Sequence, residues 1–131
     1  MKKFLILSAF ALGAFLLMNF NQVSVIESSP NGDKYEVPED IQLIIDNSCK
    51  GCHVSKSKNE KARMKLSWDK MYGKYKTHKV IGKLMDIEET LKEGEMPPEK
   101  FLAKYPDKNI SPEDSEKMQK WAREMATKLA E

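Results

Sequence analysis

Apolar residues are packed solid at the start of this chain and spaced at helical intervals through most of the remainder. Residues 4–20 are apolar at 14 of 17 positions, behind the basic pair Lys2-Lys3 and with no acidic residue before Glu27. This is the pattern of a secretory signal peptide. At 17 residues the run also reaches the short edge of what spans a bilayer, so it fits a cleaved leader and a retained anchor alike. No A-x-A-like cleavage site follows it, and no Cys stands near its end to take a lipid. Residues 21–37 turn polar, with Pro30-Asn31-Gly32 among them, and read as a linker.

From Pro38 to the end the spacing is helical. Pro38 suits a first helical position, Glu39 and Asp40 favour the positive end of the helix dipole, and Ile41, Ile44 and Ile45 form an apolar face leading into Cys49. Residues 54–65 are polar and lysine-rich, a loop or irregular helix. Trp68, Met71, Tyr72 and Tyr75 predict a helix over 66–75. Val80, Ile81, Leu84, Met85, Ile87 and Leu91 predict the buried side of a helix over 79–93, with Gly94 as its stop. Met96-Pro97-Pro98 cannot lie inside a helix, because proline removes a donor and restricts the residue before it. Ser111 is a fitting N-cap for a last helix whose stripe is Met118, Trp121, Ala122, Met125, Ala126 and Leu129. No period-2 run appears, so the fold class is all-α, with domains at 1–20 (leader or anchor), 21–37 (linker) and 38–131.

Composition adds a constraint. Beyond residue 20 only 38 of 111 residues are apolar, a thin supply for a domain of this size. Such a domain usually needs a metal, a disulfide or a cofactor to complete it. Charge is uneven: residues 50–79 carry ten Lys/Arg against Glu60 and Asp69, whereas residues 80–99 carry two Lys against six acids. The basic stretch reads first as a solvated face, with steering of an acidic protein partner or contact with anionic groups as the functional alternatives. Sparse aromatic interleaving and an export leader argue against nucleic acid.

The candidate chemistry is Cys49-Lys50-Gly51-Cys52-His53. C-x-x-C-H is the attachment signature of c-type haem. Two cysteines three apart project from one side of a helical turn, so both thiols can reach the two vinyl groups of one porphyrin. His53 follows in position to serve as proximal iron ligand, and export supplies the compartment in which haem c is attached. The rivals are weaker. A thioredoxin-like dithiol wants a βαβ pattern, a Cys49–Cys52 disulfide closes too small a loop to contribute much, and a zinc site drawing on His78 lacks a second ligand pair. Among the methionines, Met64, Met71, Met85, Met118 and Met125 fall in helical stretches and read as core filler. Met96 follows a helix stop and is held by Pro97-Pro98, 43 residues after His53, which makes it the candidate distal ligand ahead of His78. Trp68, Tyr72 and Tyr75 are either core aromatics or donors to a haem propionate.

With these motifs in place, the chain resembles the bacterial haem-binding domain of small monohaem c-type cytochromes. The resemblance covers roughly residues 38–121 and rests on the C-x-x-C-H, on Met96-Pro97-Pro98-Glu99-Lys100-Phe101, and on Ile110-Ser111-Pro112-Glu113-Asp114 followed by Trp121. The chain departs from the family pattern at residues 54–60 and at Tyr105-Pro106, where a His is common. The resemblance implies a cytochrome c-like helical domain around one covalent haem, with Cys49 and Cys52 binding it, His53 proximal and Met96 distal.

Together these readings predict an exported, periplasmic one-electron carrier rather than an enzyme, able to stay tethered to the inner membrane by residues 4–20. Its partner is a redox protein docking at a lysine-rich surface. The alternative is a haem-based sensor or small-ligand module with a displaceable sixth position. A peroxidase is weaker, since no distal His or Arg stands out. One porphyrin would serve as the domain's largest hydrophobic group, so residues 38–131 are expected to be unfolded or molten without it.

Overall fold

The computed structural model describes residues 35–131. The leader expected over 1–20, and the expected linker as far as residue 34, lie outside the described residues. Among the described residues the chain is helical and contains no strand, in keeping with the all-α expectation.

The first helix, α1 (Glu39–Ile44), starts directly after Pro38, with Glu39 and Asp40 in its first turn. It runs without a break into a π-helical turn, Ile45–Cys49, closed by the Lys50 amide on the Ile45 carbonyl at 3.0 Å. A π turn is rare and appears mostly as a single turn at functional sites; here it sits where the chain delivers Cys49. The helix α2 (Glu60–Lys65) is short and N-capped by Asn59, whose side chain accepts from the Ala62 amide at 3.0 Å. A single turn, α3 (Trp68–Met71), comes next. The long helix α4 (Thr77–Lys92) ends at Gly94, which takes φ +69°, a left-handed conformation that side chains rarely adopt. After α5 (Glu99–Leu102) and a 3₁₀ turn at Pro106–Lys108, α6 (Pro112–Ala130) completes the chain, with the Ser111 hydroxyl accepting from the Asp114 amide at 3.0 Å.

Two amphipathic helices make the frame. α4 lies along α6, and α1 also rests on α6. Val80, Leu84, Ile87 and Leu91 share one buried cluster with Met118, Trp121, Ala122, Met125 and Ala126, and Ile41, Ile44 and Ile45 join it from the first helix. Arg123 adds a double hydrogen bond to the Glu88 carboxylate across the pair, modest in value because the guanidinium is exposed. Asn47 ties the first helix to the 3₁₀ turn, donating to the Asp107 carbonyl at 3.2 Å and accepting from Lys108 at 3.1 Å.

The structure departs from the sequence expectations in four places. Packing starts before Pro38: Tyr35 is buried, its ring is 6.5 Å from that of Trp121, and the Trp121 indole donates to the Glu36 carbonyl at 3.2 Å. The helix expected over 66–75 shrinks to four residues. The amides of Gly73, Lys74 and Tyr75 all converge on the Lys70 carbonyl, and Gly73 is a poor helix former. Met64 and Met85, expected as core filler, are exposed. Met85 stands one residue past Leu84, so it is rotated by about 100° off the Leu84–Ile87–Leu91 stripe. Finally, α5 has no counterpart among the expected elements; Glu99 and the Pro98 carbonyl start it as soon as the prolines end.

The neighbours Leu84 and Met85 provide a direct check. Leu84→Ala is expected to lower stability by about 2–5 kcal/mol through a cavity in the α4–α6 seam. Met85→Ala should stay within about 0.5 kcal/mol. Chemical denaturation of the two variants measures the difference.

Candidate functional site

The C-x-x-C-H segment leaves the π turn as a tight bend. The Cys49 carbonyl accepts from the Cys52 amide at 3.2 Å and from the His53 amide at 3.0 Å. Both cysteines are therefore fixed within one turn, and both are free thiols, half-buried. Burial, reinforced by the Asp46 carboxylate, pushes the Cys49 thiol up to about 12. A thiol held protonated in this way lacks the thiolate character of a dithiol redox centre.

His53 is the most tightly constrained side chain of the site. Its Nδ1 lies 3.0 Å from the Ala62 carbonyl and 3.4 Å from the Leu66 carbonyl. Both neighbours are acceptors, so Nδ1 carries the proton and the lone pair is left on Nε2. Burial pushes the imidazole pKa down against the opposing pull of the Leu66 and Ala62 carbonyls, favouring the neutral ring. A neutral imidazole with one nitrogen donating to backbone and the other free is the form that ligates metals.

The loop from His53 to Asp69 makes this possible, and its two ends are fastened together. The Trp68 amide donates to the His53 carbonyl at 2.9 Å. The Asp69 carboxylate accepts from the Ser55 amide at 2.9 Å and from the Ser67 hydroxyl at 2.7 Å, while the hydroxyls of Ser55 and Ser67 meet at 3.1 Å. Desolvation pushes the Asp69 carboxyl up, but these hydrogen bonds more than reverse it and hold it at about 2.

Cys49, Cys52 and His53 line a cavity of about 690 Å³, together with Ala62, Leu66 and Trp68 of the loop, Ile87 and Leu91 of α4, Met118 of α6, and the segment Met96-Pro97-Pro98 with Phe101. The four residues expected from the sequence to hold the cofactor are thus in one place, Met96 included. That volume falls within the range of roughly 300–1,000 Å³ typical of small-molecule and cofactor pockets. His78 is not in the cavity wall and lies near the start of α4. No cluster of three or more His, Cys, Asp or Glu side chains suited to a metal ion occurs among the described residues.

Of the aromatic candidates, Trp68 is fully buried, lines the cavity, and has an indole N–H with no partner. The Tyr72 hydroxyl donates to Gln42 at 2.9 Å instead, and burial raises it to about 12. Tyr75 lies under the Lys79 ammonium, which is 4.3 Å from its ring centre. The backbone carbonyls of Ala62 and Leu66 and the side chain of Asp69 escaped sequence reading. Carbonyls carry no sequence signal, and Asp69 looks like an ordinary surface acid until the loop closes.

The family model described as "haem-binding domain" matches residues 55–124, just over half of the chain. The match begins two residues after His53 and includes Met96 and Trp121. No curated protein and no solved structure matches the chain.

The Asp69 carboxyl carries a pH prediction. Its folded value of about 2 lies below the ordinary value near 3.9, so its contribution to stability is complete above the ordinary value and is lost as pH falls toward the folded one. Asp69→Asn should remove this part of the acid sensitivity. Stability curves of the two proteins are expected to converge between about pH 4 and pH 2, read by tryptophan fluorescence.

Proposed function

The chain belongs to the haem-binding domain family, and from that premise we propose that it is an exported monohaem c-type cytochrome transferring one electron at a time. The observation that carries this reading is the convergence of Cys49, Cys52, His53 and Met96 on one cavity, with the His53 Nε2 lone pair left free by the Nδ1 hydrogen bond.

The donor set fits the cofactor. Two free thiols three residues apart suit thioether formation, a neutral imidazole suits the proximal position, and a thioether sulfur on a proline-held segment suits the distal one. Ile87, Leu91, Phe101 and Met118 supply an apolar lining. The unpartnered Trp68 indole N–H is a donor in the cavity wall suited to a carboxylate such as a propionate. When bound, haem supplies the ferric–ferrous couple. The residues of this chain hold the cofactor, exclude water from one edge and set the basicity of the imidazole.

Partner docking is assigned to the lysine-rich face. Lys56, Lys58, Lys61, Lys65, Lys70, Lys74, Lys76 and Lys79 form no ion pair among the described residues, nor do Lys92, Lys100, Lys104 and Lys128 elsewhere, while Lys50 pairs with Asp46. Lys61 and Lys65 also stand at the cavity wall, so an acidic redox protein drawn to this face would arrive at the cofactor. Export rests on the leader pattern of residues 1–20; no helix among the described residues is long and apolar enough to cross a membrane. The alternative, a sensor with a displaceable sixth ligand, is favoured by one observation: Met96 is 39% exposed.

Three measurements test the proposal. Haem should resist acid–acetone extraction from the intact protein and be extracted from a Cys49→Ser, Cys52→Ser double variant; extraction from the intact protein would exclude thioether attachment. The reduced protein should be low-spin and slow to take up carbon monoxide, and Met96→Ala should be high-spin and fast. Fast uptake by the unmutated protein would favour the sensor. Haem-free protein, compared by near-ultraviolet circular dichroism, should lose fixed tertiary packing.

A further inference from the structure

The His53–Asp69 loop fastens its own neck by a device that the haem-site reading does not use. The ligand candidate His53 sits at one end and the carbonyls that receive its Nδ1 proton, Ala62 and Leu66, sit nine and thirteen residues further on. Local bonds hold those carbonyls only in part: the Ala62 carbonyl also accepts from the Leu66 amide at 3.0 Å, and Leu66 packs against the core. α2 is six residues long with no buried side chain, well below the length at which a helix holds itself together in water. From α2, Arg63 bonds back to the loop by reaching the Ser57 carbonyl at 3.3 Å.

The fastening that joins the two arms of the segment is at its neck. Ser67 is fully buried and Ser57 nearly so. The Asp69 carboxylate gathers the Ser55 amide from the outgoing arm of the loop and the Ser67 hydroxyl from the returning one. Directly beside it, the Trp68 amide closes on the carbonyl of His53 itself. Hydrogen bonds to an ionised acceptor are the stronger kind, roughly twice as strong as those between neutral groups.

We propose that Asp69 is a positioning residue for the haem-ligating imidazole: by locking Ser55 to Ser67 it fixes the loop that presents the Ala62 and Leu66 carbonyls to His53 Nδ1. Through that hydrogen bond it sets the ring's tautomer, its orientation and its basicity toward iron. Asp69 touches neither the imidazole nor the cavity, so its effect passes entirely through the backbone. The proposal rests on His53 as iron ligand, and the two can fail separately.

The test uses the reduced, haem-loaded full-length chain and reads hydrogen–deuterium exchange of the His53 Nδ1 proton by NMR. The Trp121 indole proton, bonded to the Glu36 carbonyl outside the loop, is the internal reference. Global destabilisation speeds both protons together; loss of the clasp speeds only the first. Asp69→Ala should raise the His53-to-Trp121 exchange ratio about tenfold, the equivalent of one charge-assisted hydrogen bond. Asp69→Asn, whose amide oxygen still accepts from Ser55 and Ser67 but without the charge, should raise the ratio by clearly less, about threefold. If Asp69→Ala does not accumulate, Ser67→Ala removes one donor and should raise the ratio about threefold. An unchanged ratio in Asp69→Ala, or in Ser67→Ala where that variant replaces it, overturns the proposal, as does an equal rise in Asp69→Asn. Haem retention by His53→Gly with an unaltered spectrum would instead overturn the assignment of the ligand and leave the clasp standing.

Discussion

The hydrogen bond from His53 Nδ1 to the Ala62 carbonyl is the constraint on which the rest of the site depends. It decides which ring nitrogen is free, and it requires the chain to leave His53, travel through α2 and return within reach. Three features of residues 54–69 serve that requirement: the Asn59 cap that starts α2, the Trp68 amide that closes on His53, and the Asp69 carboxylate at the neck. A buried imidazole without this partner would face a costly choice between an orphaned N–H and the wrong tautomer. The carbonyls spend no side chain on the task, which leaves the lysines of the same segment free to face solvent.

The molecule divides its labour between two halves. α4 and α6 carry long amphipathic stripes, merge into one apolar cluster and provide a rigid wall. The first helix, the loop and α5 are short, and most of their polar groups are satisfied locally. Where the halves meet lies the cavity, with Leu91, Ile87 and Met118 from the frame and Cys49, Cys52, His53 and Met96 from the short segments. Placing these side chains on short segments against a stiff wall lets their geometry be set by hydrogen bonds and prolines.

How far the sequence reveals this depends on what kind of signal each feature leaves. Periodicity and capping suffice for α4 and α6, because sixteen and nineteen residues give a stripe several turns to repeat. They overreach at residues 66–75, where Trp68, Met71, Tyr72 and Tyr75 match helical spacing but the backbone turns on the Lys70 carbonyl. Hydrophobic identity misleads at Met64 and Met85, since methionine tolerates exposure and only the phase of the stripe tells the two environments apart. Chemistry is legible where it is written in side chains at fixed spacing: Cys49, Cys52, His53 and Met96 do share one cavity. It is illegible where it is written in the backbone. The π turn before Cys49 and the carbonyls facing His53 depend on φ and ψ, to which no single residue type is tied.

The thin apolar supply of the chain takes on a more specific meaning in this light. The buried cluster already occupies the best apolar residues of α1, α4 and α6, and it closes around Trp68 and Trp121, whose ring centres are 6.5 Å apart. What the chain does not fill with its own side chains is the space between that cluster and the loop, where the lining is apolar at Ile87, Leu91, Phe101 and Met118 and yet opens on two thiols and an imidazole. The largely apolar walls of this open cavity face solvent and would gain contacts and burial from an apolar group lying against them. A flat, largely apolar group anchored at Cys49, Cys52 and His53 would supply those contacts and place its charged edge within reach of the lysines. The shortage of hydrophobic residues is therefore local to one side of the domain, and it coincides with the residues whose chemistry calls for a haem.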